Sequence, residues 1–404
     1  MTRRARRILM TAAVAGAVGM SVERGETHKP ITSKYTYNED VFPILRERCG
    51  RCHVEDGVAP MSLMTYQEAF PWGESVRAEV IAKHMPPWHA EESAVRFKNQ
   101  PTMTSIETDK ILVWVSGGSP QGNLQHMPPR VALHNDWAIG KPDLVLPLDE
   151  ITLDADTNEV TKEFTVATRS TETSWVRAVD LLPGTPAIVR DAIISIKSHQ
   201  STSPSHLAEA DVLAAWIPGE DPIDADGGAF RLPPRAELTV RVHYRKTFGY
   251  SGRAMKDQST VGLYLAPEPT NEIKRLTIES GPAKTAGNPA SFSAVVDQDL
   301  KALAVRPDPS LSNVGLEVDT VTAAGVRTPL IRLAVRPNWP RRYWFEQPVT
   351  LRKGTRIEVR AVIDGADTLL PPAGTPLPPQ RLDDGSIRVM FDVVVISGST
   401  RRAD

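Results

Sequence analysis

A chain of 404 residues, 41% hydrophobic and 24% charged, has material for more than one hydrophobic core, and its two cysteines exclude a disulfide-stapled scaffold. The formal net charge of −2, with no basic run beyond the extreme N-terminus, excludes an electrostatic nucleic-acid binder. The 34 prolines and 6% aromatic content favour short strands joined by Pro-marked loops over a helical bundle.

Residues 1–24 read as an export signal: Arg3, Arg4, Arg6 and Arg7 precede an apolar run at 8–20 that is rich in Ala, Val and Gly. The run is shorter than the roughly 20 residues a spanning helix needs. The expectation is a periplasmic protein, with the segment either cleaved or retained as an N-terminal anchor.

Residues 35–120 carry a helical pattern. A first helix at 37–45, capped by Asn38 or Asp40 and apolar at Val41, Ile44 and Leu45, runs into Cys49-Gly50-Arg51-Cys52-His53. This is C-x-x-C-H, the attachment signature of haem c, in which two thiols form thioethers and the adjacent imidazole ligates iron. It predicts one covalent haem on Cys49 and Cys52 with His53 as the proximal ligand. A dithiol redox motif would want a thioredoxin-like surround, and a structural zinc would want two further ligands at comparable spacing; the sequence offers neither.

A second helix is predicted over 65–84, with Ala69, Trp72, Val76, Val80 and Ile81 on one face and Pro86-Pro87 closing it. A third follows the capping box Thr104-Ser105-Ile106-Glu107, with Ile111, Leu112, Trp114 and Val115 inward and Gly117-Gly118 as the stop. Three helices around the motif make a minimal cytochrome c layout. The distal iron ligand is assigned to Met85, presented just past a helix end by Met85-Pro86-Pro87, with Met61, Met64, Met103, His84 and His89 as competitors.

Residues 121–150 read as a Pro- and Gly-punctuated linker. Alternating runs then follow at 162–166, 187–194, 237–244 and 260–265 and, after a break near 281–290, at 293–296, 315–318, 331–335, 355–362 and 388–396. The fold class expected is multidomain: a small all-α cytochrome c domain followed by two antiparallel, jelly-roll-like β-sandwiches, at 151–280 and 281–398.

Several phrases, in order, carry a resemblance: Ala59-Pro60-Met61-Ser62-Leu63, Met85-Pro86-Pro87-Trp88, Trp114-Val115-Ser116-Gly117-Gly118, Gly140-Lys141-Pro142-Asp143, Trp175-Val176-Arg177 before Pro183-Gly184, Val242-His243-Tyr244, and 339–343 before Lys353-Gly354-Thr355. Over most of 37–396 the chain resembles an exported bacterial family that fuses a cytochrome c domain to a region similar to the type II copper, ascorbate-dependent monooxygenases. The resemblance implies copper ligands in both sandwiches. In the first it implies a His-His pair, where this chain has Arg190-Asp191, and a third His that His243 matches. In the second it implies a His-x-His phrase, where this chain has Arg306 and Asp308, and a Met that Met390 matches. Arg190, Asp191, His243 and Met390 are therefore read as vestigial copper positions and copper is not expected, since a type II site needs about three N or S donors. His199 and His206, in a Ser-rich loop, are read as solvated, His243 as a strand histidine satisfied by a neighbour, and the aspartates of 154–156 and 224–226 as turn residues.

The function expected is electron transfer by a monohaem cytochrome whose sandwiches dock a periplasmic redox partner, free or within a membrane-associated respiratory or other complex. Two alternatives stand beside it: a haem-coupled copper monooxygenase, and a haem-bearing structural subunit of a larger periplasmic assembly.

Overall fold

The structure is a computed structural model that describes residues 31–91, 95–197, 207–209, 211–225, 227–267, 271–281, 290–308, 314–335, 339–363 and 386–396. Residues 1–24, read as an export signal, and both His199 and His206 lie outside these residues. The chain is mostly β-sheet with few helices.

The N-terminal helical segment opens with a wide turn, Tyr37–Val41, that continues into the helix Phe42–Arg48. Its cap differs from the expected one. Thr36 takes the cap position without a side-chain bond, and its N–H donates to the Asp40 carboxylate at 3.0 Å. The helix predicted over 65–84 is broken. Thr65 caps Tyr66–Ala69, a 3₁₀ turn with Pro71 covers Phe70–Trp72, and the helix Gly73–Ile81 follows with Ile81 exposed. The proline ring has no N–H to continue the ladder, so the apolar stripe read at 3.6-residue spacing loses register. Helix Ser105–Ser116 has the predicted reciprocal capping box between Thr104 and Glu107. These elements enclose Tyr37, Leu45, Leu63, Ile111 and Trp114, with Val131 and Leu133 of the connector packed against them.

Two pairs of sheets follow. In the first, strands run in the order Leu144–Pro147, Thr260–Leu265, Ser174–Leu182, Gly228–Leu232, Asn271–Glu272, and face Glu159–Ala167, Glu237–Arg245, Val189–Ile196, Val212–Trp216. In the second, Tyr343–Leu351, Leu300–Pro307, Arg388–Val395, Lys274–Glu279, Leu207–Glu209 face Ala290–Val295, Arg356–Ile363, Val314–Val321, Arg327–Val335. Sheet membership shifts the sequence boundaries. Leu144–Pro147, inside the segment read as linker, pairs with Thr260–Leu265, and Lys274–Glu279, assigned to the first sandwich, pairs with Arg388–Val395 of the second.

Neither sandwich is packed alone. Leu303, Ala304, Trp344 and Val394 of the second belong to the core cluster of the first. The stretch after the Gly73–Ile81 helix lies on the second sandwich: Ala90 bridges to Leu333, Phe97 to Phe345, and Trp88 packs on the same core. Phe97 stacks on Phe345 with centroids 5.4 Å apart.

Candidate functional site

Helix Phe42–Arg48 ends at Cys49, whose N–H still donates to the Leu45 carbonyl at 2.8 Å. The next turn is tight. The N–H groups of Cys52 and His53 both donate to the Cys49 carbonyl, at 3.1 and 2.9 Å, so both thiols and the imidazole project from one turn of backbone. Gly50 permits it, because a Cβ there would stand 2.5 Å from the Arg46 carbonyl oxygen and 3.2 Å from Met64 Sδ. Both cysteines are free thiols. Burial, with the neighbouring Cys52 sulfur, pushes the Cys49 thiol up to about 12, and burial pushes Cys52 up to about 11 against the pull of Arg51, Arg190 and Arg341.

His53 is oriented from behind. Its Nδ1 lies 3.1 Å from the Met61 carbonyl, which can only accept, so Nδ1 carries the hydrogen and Nε2 keeps its lone pair. Burial holds this imidazole below its ordinary value, outweighing the Met61 carbonyl, so it is neutral at neutral pH. A neutral ring with one N–H anchored on a backbone carbonyl is the arrangement a metal ligand needs.

The turn is docked on the first sandwich. Arg51 donates to the Asp221 carboxylate at 2.6 Å and to the Gly219 carbonyl at 3.2 Å, and Cys52 Sγ faces the Pro218 carbonyl at 3.8 Å. Arg190 donates to the Val58 carbonyl from Nη1 and to the Arg245 carbonyl from Nε and Nη2, at 2.9 and 2.7 Å. The strand explains how it reaches. The pairing of Val189–Ile196 with Glu237–Arg245 slips between Val189 and Asp191, so Arg190 is the extra residue of a bulge and leaves the sheet's regular alternation. The guanidinium read as a misfit in a copper site is a strap between the Cys-x-x-Cys-His turn and the sandwich.

The other named residues divide between two places. Met64 is buried beside the turn, with Met61 and Met103 partly buried on the same cluster, whereas Met85 lies past the helix end with 36% exposure. His84 shares Nδ1 with the Glu79 carboxylate at 3.0 Å, and His89 meets the Trp339 ring edge-on. Asp191, His243, Arg306 and Asp308 all line one cavity of about 220 Å³ between the sandwiches, together with Arg241 and Arg341. Alternation puts them there: Leu238, Val240, Val242 and Tyr244 fill the first core, leaving Arg241 and His243 on the sheet's other face. Met390 is buried outside both cores, in register with Arg306.

His243 is fully committed. Nδ1 meets Asp191 Oδ2 and Nε2 meets Glu159 Oε1, both at 2.9 Å. Burial alone would lower its pKa, but hydrogen bonds and charge from Asp191 and then Glu159 prevail and raise it. On the facing wall Arg306 is 4% exposed, and burial pushes its guanidinium down to about 10 although Asp392 opposes the shift. Glu159, Arg241 and Arg341 were not singled out from the sequence. Strand alternation around 159–167 could have given the face of Glu159 but not the register that sets it beside His243.

No protein-family model matches the chain, and no curated protein matches its sequence. Among solved structures, the major capsid protein P2 from bacteriophage PM2 aligns over 63% of this chain and 98% of its own, at 8% identity and a TM-score of 0.26. Pumpkin seed globulin aligns over 65% of this chain and 87% of its own, at 6% identity and a TM-score of 0.13. Likenesses at that level carry no argument about this protein.

Proposed function

We propose that Cys49 and Cys52 carry one covalent haem c with His53 as its proximal ligand, and that the chain is an exported, periplasmic electron carrier of the cytochrome c–monooxygenase-like family it resembles. One observation carries the reading. The protein's two cysteines share a single turn with a neutral histidine whose Nδ1 is tied to a carbonyl and whose Nε2 has no hydrogen-bond partner among the described residues. The haem, when bound, would supply reversible one-electron exchange. The chain's residues do the positioning: Met61 fixes the imidazole tautomer, and the Arg51–Asp221 pair and the Arg190 strap hold the turn on the sandwich. Met85 is proposed as the distal ligand and the sandwiches as the surface that meets a periplasmic redox partner, free or in a membrane-associated complex.

The donor chemistry does not favour a copper monooxygenase. Both nitrogens of His243 are taken by carboxylates, and the buried Arg306 guanidinium faces the same cavity. Expression with haem-maturation machinery should give a haem that survives acid–acetone extraction, and Met85→Ala should remove the His/Met charge-transfer band and lower the potential. A haemless product would overturn the reading, and an unchanged spectrum would move the distal ligand to Met61, Met64 or Met103. Metal analysis after Cu²⁺ loading and desalting is expected to show iron without stoichiometric copper, and tightly held copper would restore the enzyme reading.

A further inference from the structure

The cavity between the sandwiches is over-supplied with cationic donors. Its charged lining is Arg241, Arg306, Arg341 and His243 against Asp191 and Asp308; Glu159 also holds His243 and Glu220 lies by Arg341, which leaves Arg241 and Arg306 without an ion pair within 4.0 Å among the described residues. The two acids are engaged: Asp191 accepts from His243 and Asp308 pairs with Arg388 at 3.6 Å. Arg306 makes no ion pair within 4.0 Å among the described residues, and its Nε is buried with no hydrogen-bond partner. Arg341, 9% exposed, lies 3.6 Å from Glu220 and over the Trp88 ring, yet its Nη1 is also buried and unbonded. Buried guanidinium groups are expensive to leave unmatched, and the two arginines concerned both line this cavity.

Shape and polarity narrow the acceptor. Ile193, Val335, Trp339, Pro307 and Pro340 supply apolar wall between the arginines, which suits a carbon skeleton better than a bare inorganic ion. Arg306 lies deep while Arg241 is exposed, so cationic ends are available within and at the mouth. We propose that this cavity binds a small organic carboxylate, best a short dicarboxylate, with Arg306 and Arg341 taking one carboxylate and Arg241 the other. Planar guanidinium forks match carboxylate oxygens two to two, and both walls of the cavity carry one.

Calorimetric titration of the full chain at low salt tests it, with succinate as probe, succinamide as its neutral analogue and inorganic phosphate as a bare oxyanion. Succinate should bind saturably at one per chain, succinamide not at all, and phosphate more weakly. Arg306→Gln and Arg241→Gln should each weaken succinate by about tenfold or more, the scale of a lost charge-assisted contact. Arg352→Gln, which alters an exposed pair with Asp299, should change nothing. If Arg306→Gln does not fold, Arg241→Gln at the rim decides. No saturation up to about 10 mM succinate, equal binding of succinamide, or undiminished binding in the arginine variants would overturn the proposal. Phosphate binding as tight as succinate would overturn the organic carboxylate in favour of a general oxyanion site.

Discussion

At the scale of single residues, His243 shows how buried carboxylates decide what an imidazole can do. Held between Asp191 and Glu159 it is favoured as imidazolium, with a folded pKa above its ordinary 6.5. A group whose folded pKa is raised stabilises the fold fully below its unfolded pKa and loses that contribution as pH rises through the folded value. The difference in thermal midpoint between the native protein and His243→Gln should therefore be largest near about pH 6 and shrink by about pH 9. Equal differences at both would mean that the ring is not protonated in the fold. Arg190 gives a second prediction. Arg190→Gln should cost about 1–3 kcal/mol, the range for hydrogen bonds from a charged donor. It should also speed hydrogen exchange at the Ala59 amide, which donates to the Cys52 carbonyl at 3.2 Å. Arg190→Lys should restore little of that protection, because one ammonium cannot span the Val58 and Arg245 carbonyls as the fork does. In the sequence Arg190 stands where the resemblance implies a histidine, and His243 matches one. The sequence could not show what they bind, because a bulge and a strand register decide that.

At the scale of elements, legibility followed how local the cause was. The Thr104–Glu107 capping box and the alternating strand Glu237–Arg245 are written in neighbouring residues and stand where the sequence puts them. Strand Ser174–Leu182 has no alternating signature, because Ala178 through Leu181 are buried in succession and erase the period of two. The placement of Trp88, Ala90 and Phe97 is less local still. Nothing local says that Trp88, Ala90 and Phe97 fill a core whose other walls come from residues beyond 276. That placement is testable. Phe97→Ala should destabilise by about 3–5 kcal/mol, as for a buried aromatic, and open the amides of Tyr343–Leu351 to exchange. Phe70→Ala, at a side chain 46% exposed, should fall within about 0.5 kcal/mol. If the Tyr343–Leu351 amides keep their protection in Phe97→Ala, the segment rests on the sandwich without helping to build it. A fragment ending near residue 145 would expose the same three side chains, so its solubility reads out the same packing.

At the scale of the whole molecule, what joins the two sandwiches decides whether they behave as one body. The joint holds a charge pair inside apolar surroundings: Arg342 and Asp392, 4% and 2% exposed at their side chains, approach to 2.8 Å as a charge contact rather than a well-directed hydrogen bond. Arg342 also donates to the Leu213 and Val212 carbonyls of the first sandwich, at 2.8 and 2.7 Å, and lies over the rings of Phe230 and Trp344. One side chain thus ties a strand of each sandwich at the place where their cores merge. Calorimetric unfolding should show a single transition covering both sandwiches, because separating them would expose Leu303, Ala304, Trp344 and Val394 together with this pair. Arg342→Ala should lower stability by about 3–5 kcal/mol, chiefly by taking from buried Asp392 its one ion-pair partner within 4.0 Å among the described residues. The paired replacement Arg342→Met with Asp392→Leu removes both charges and should recover most of that loss, as apolar substitutes for buried ion pairs commonly do. If the double variant is as unstable as the single one, the carbonyl bonds to Leu213 and Val212 hold the sandwiches together. If Arg342→Ala instead splits the transition in two, this side chain rather than the merged apolar core is what couples them.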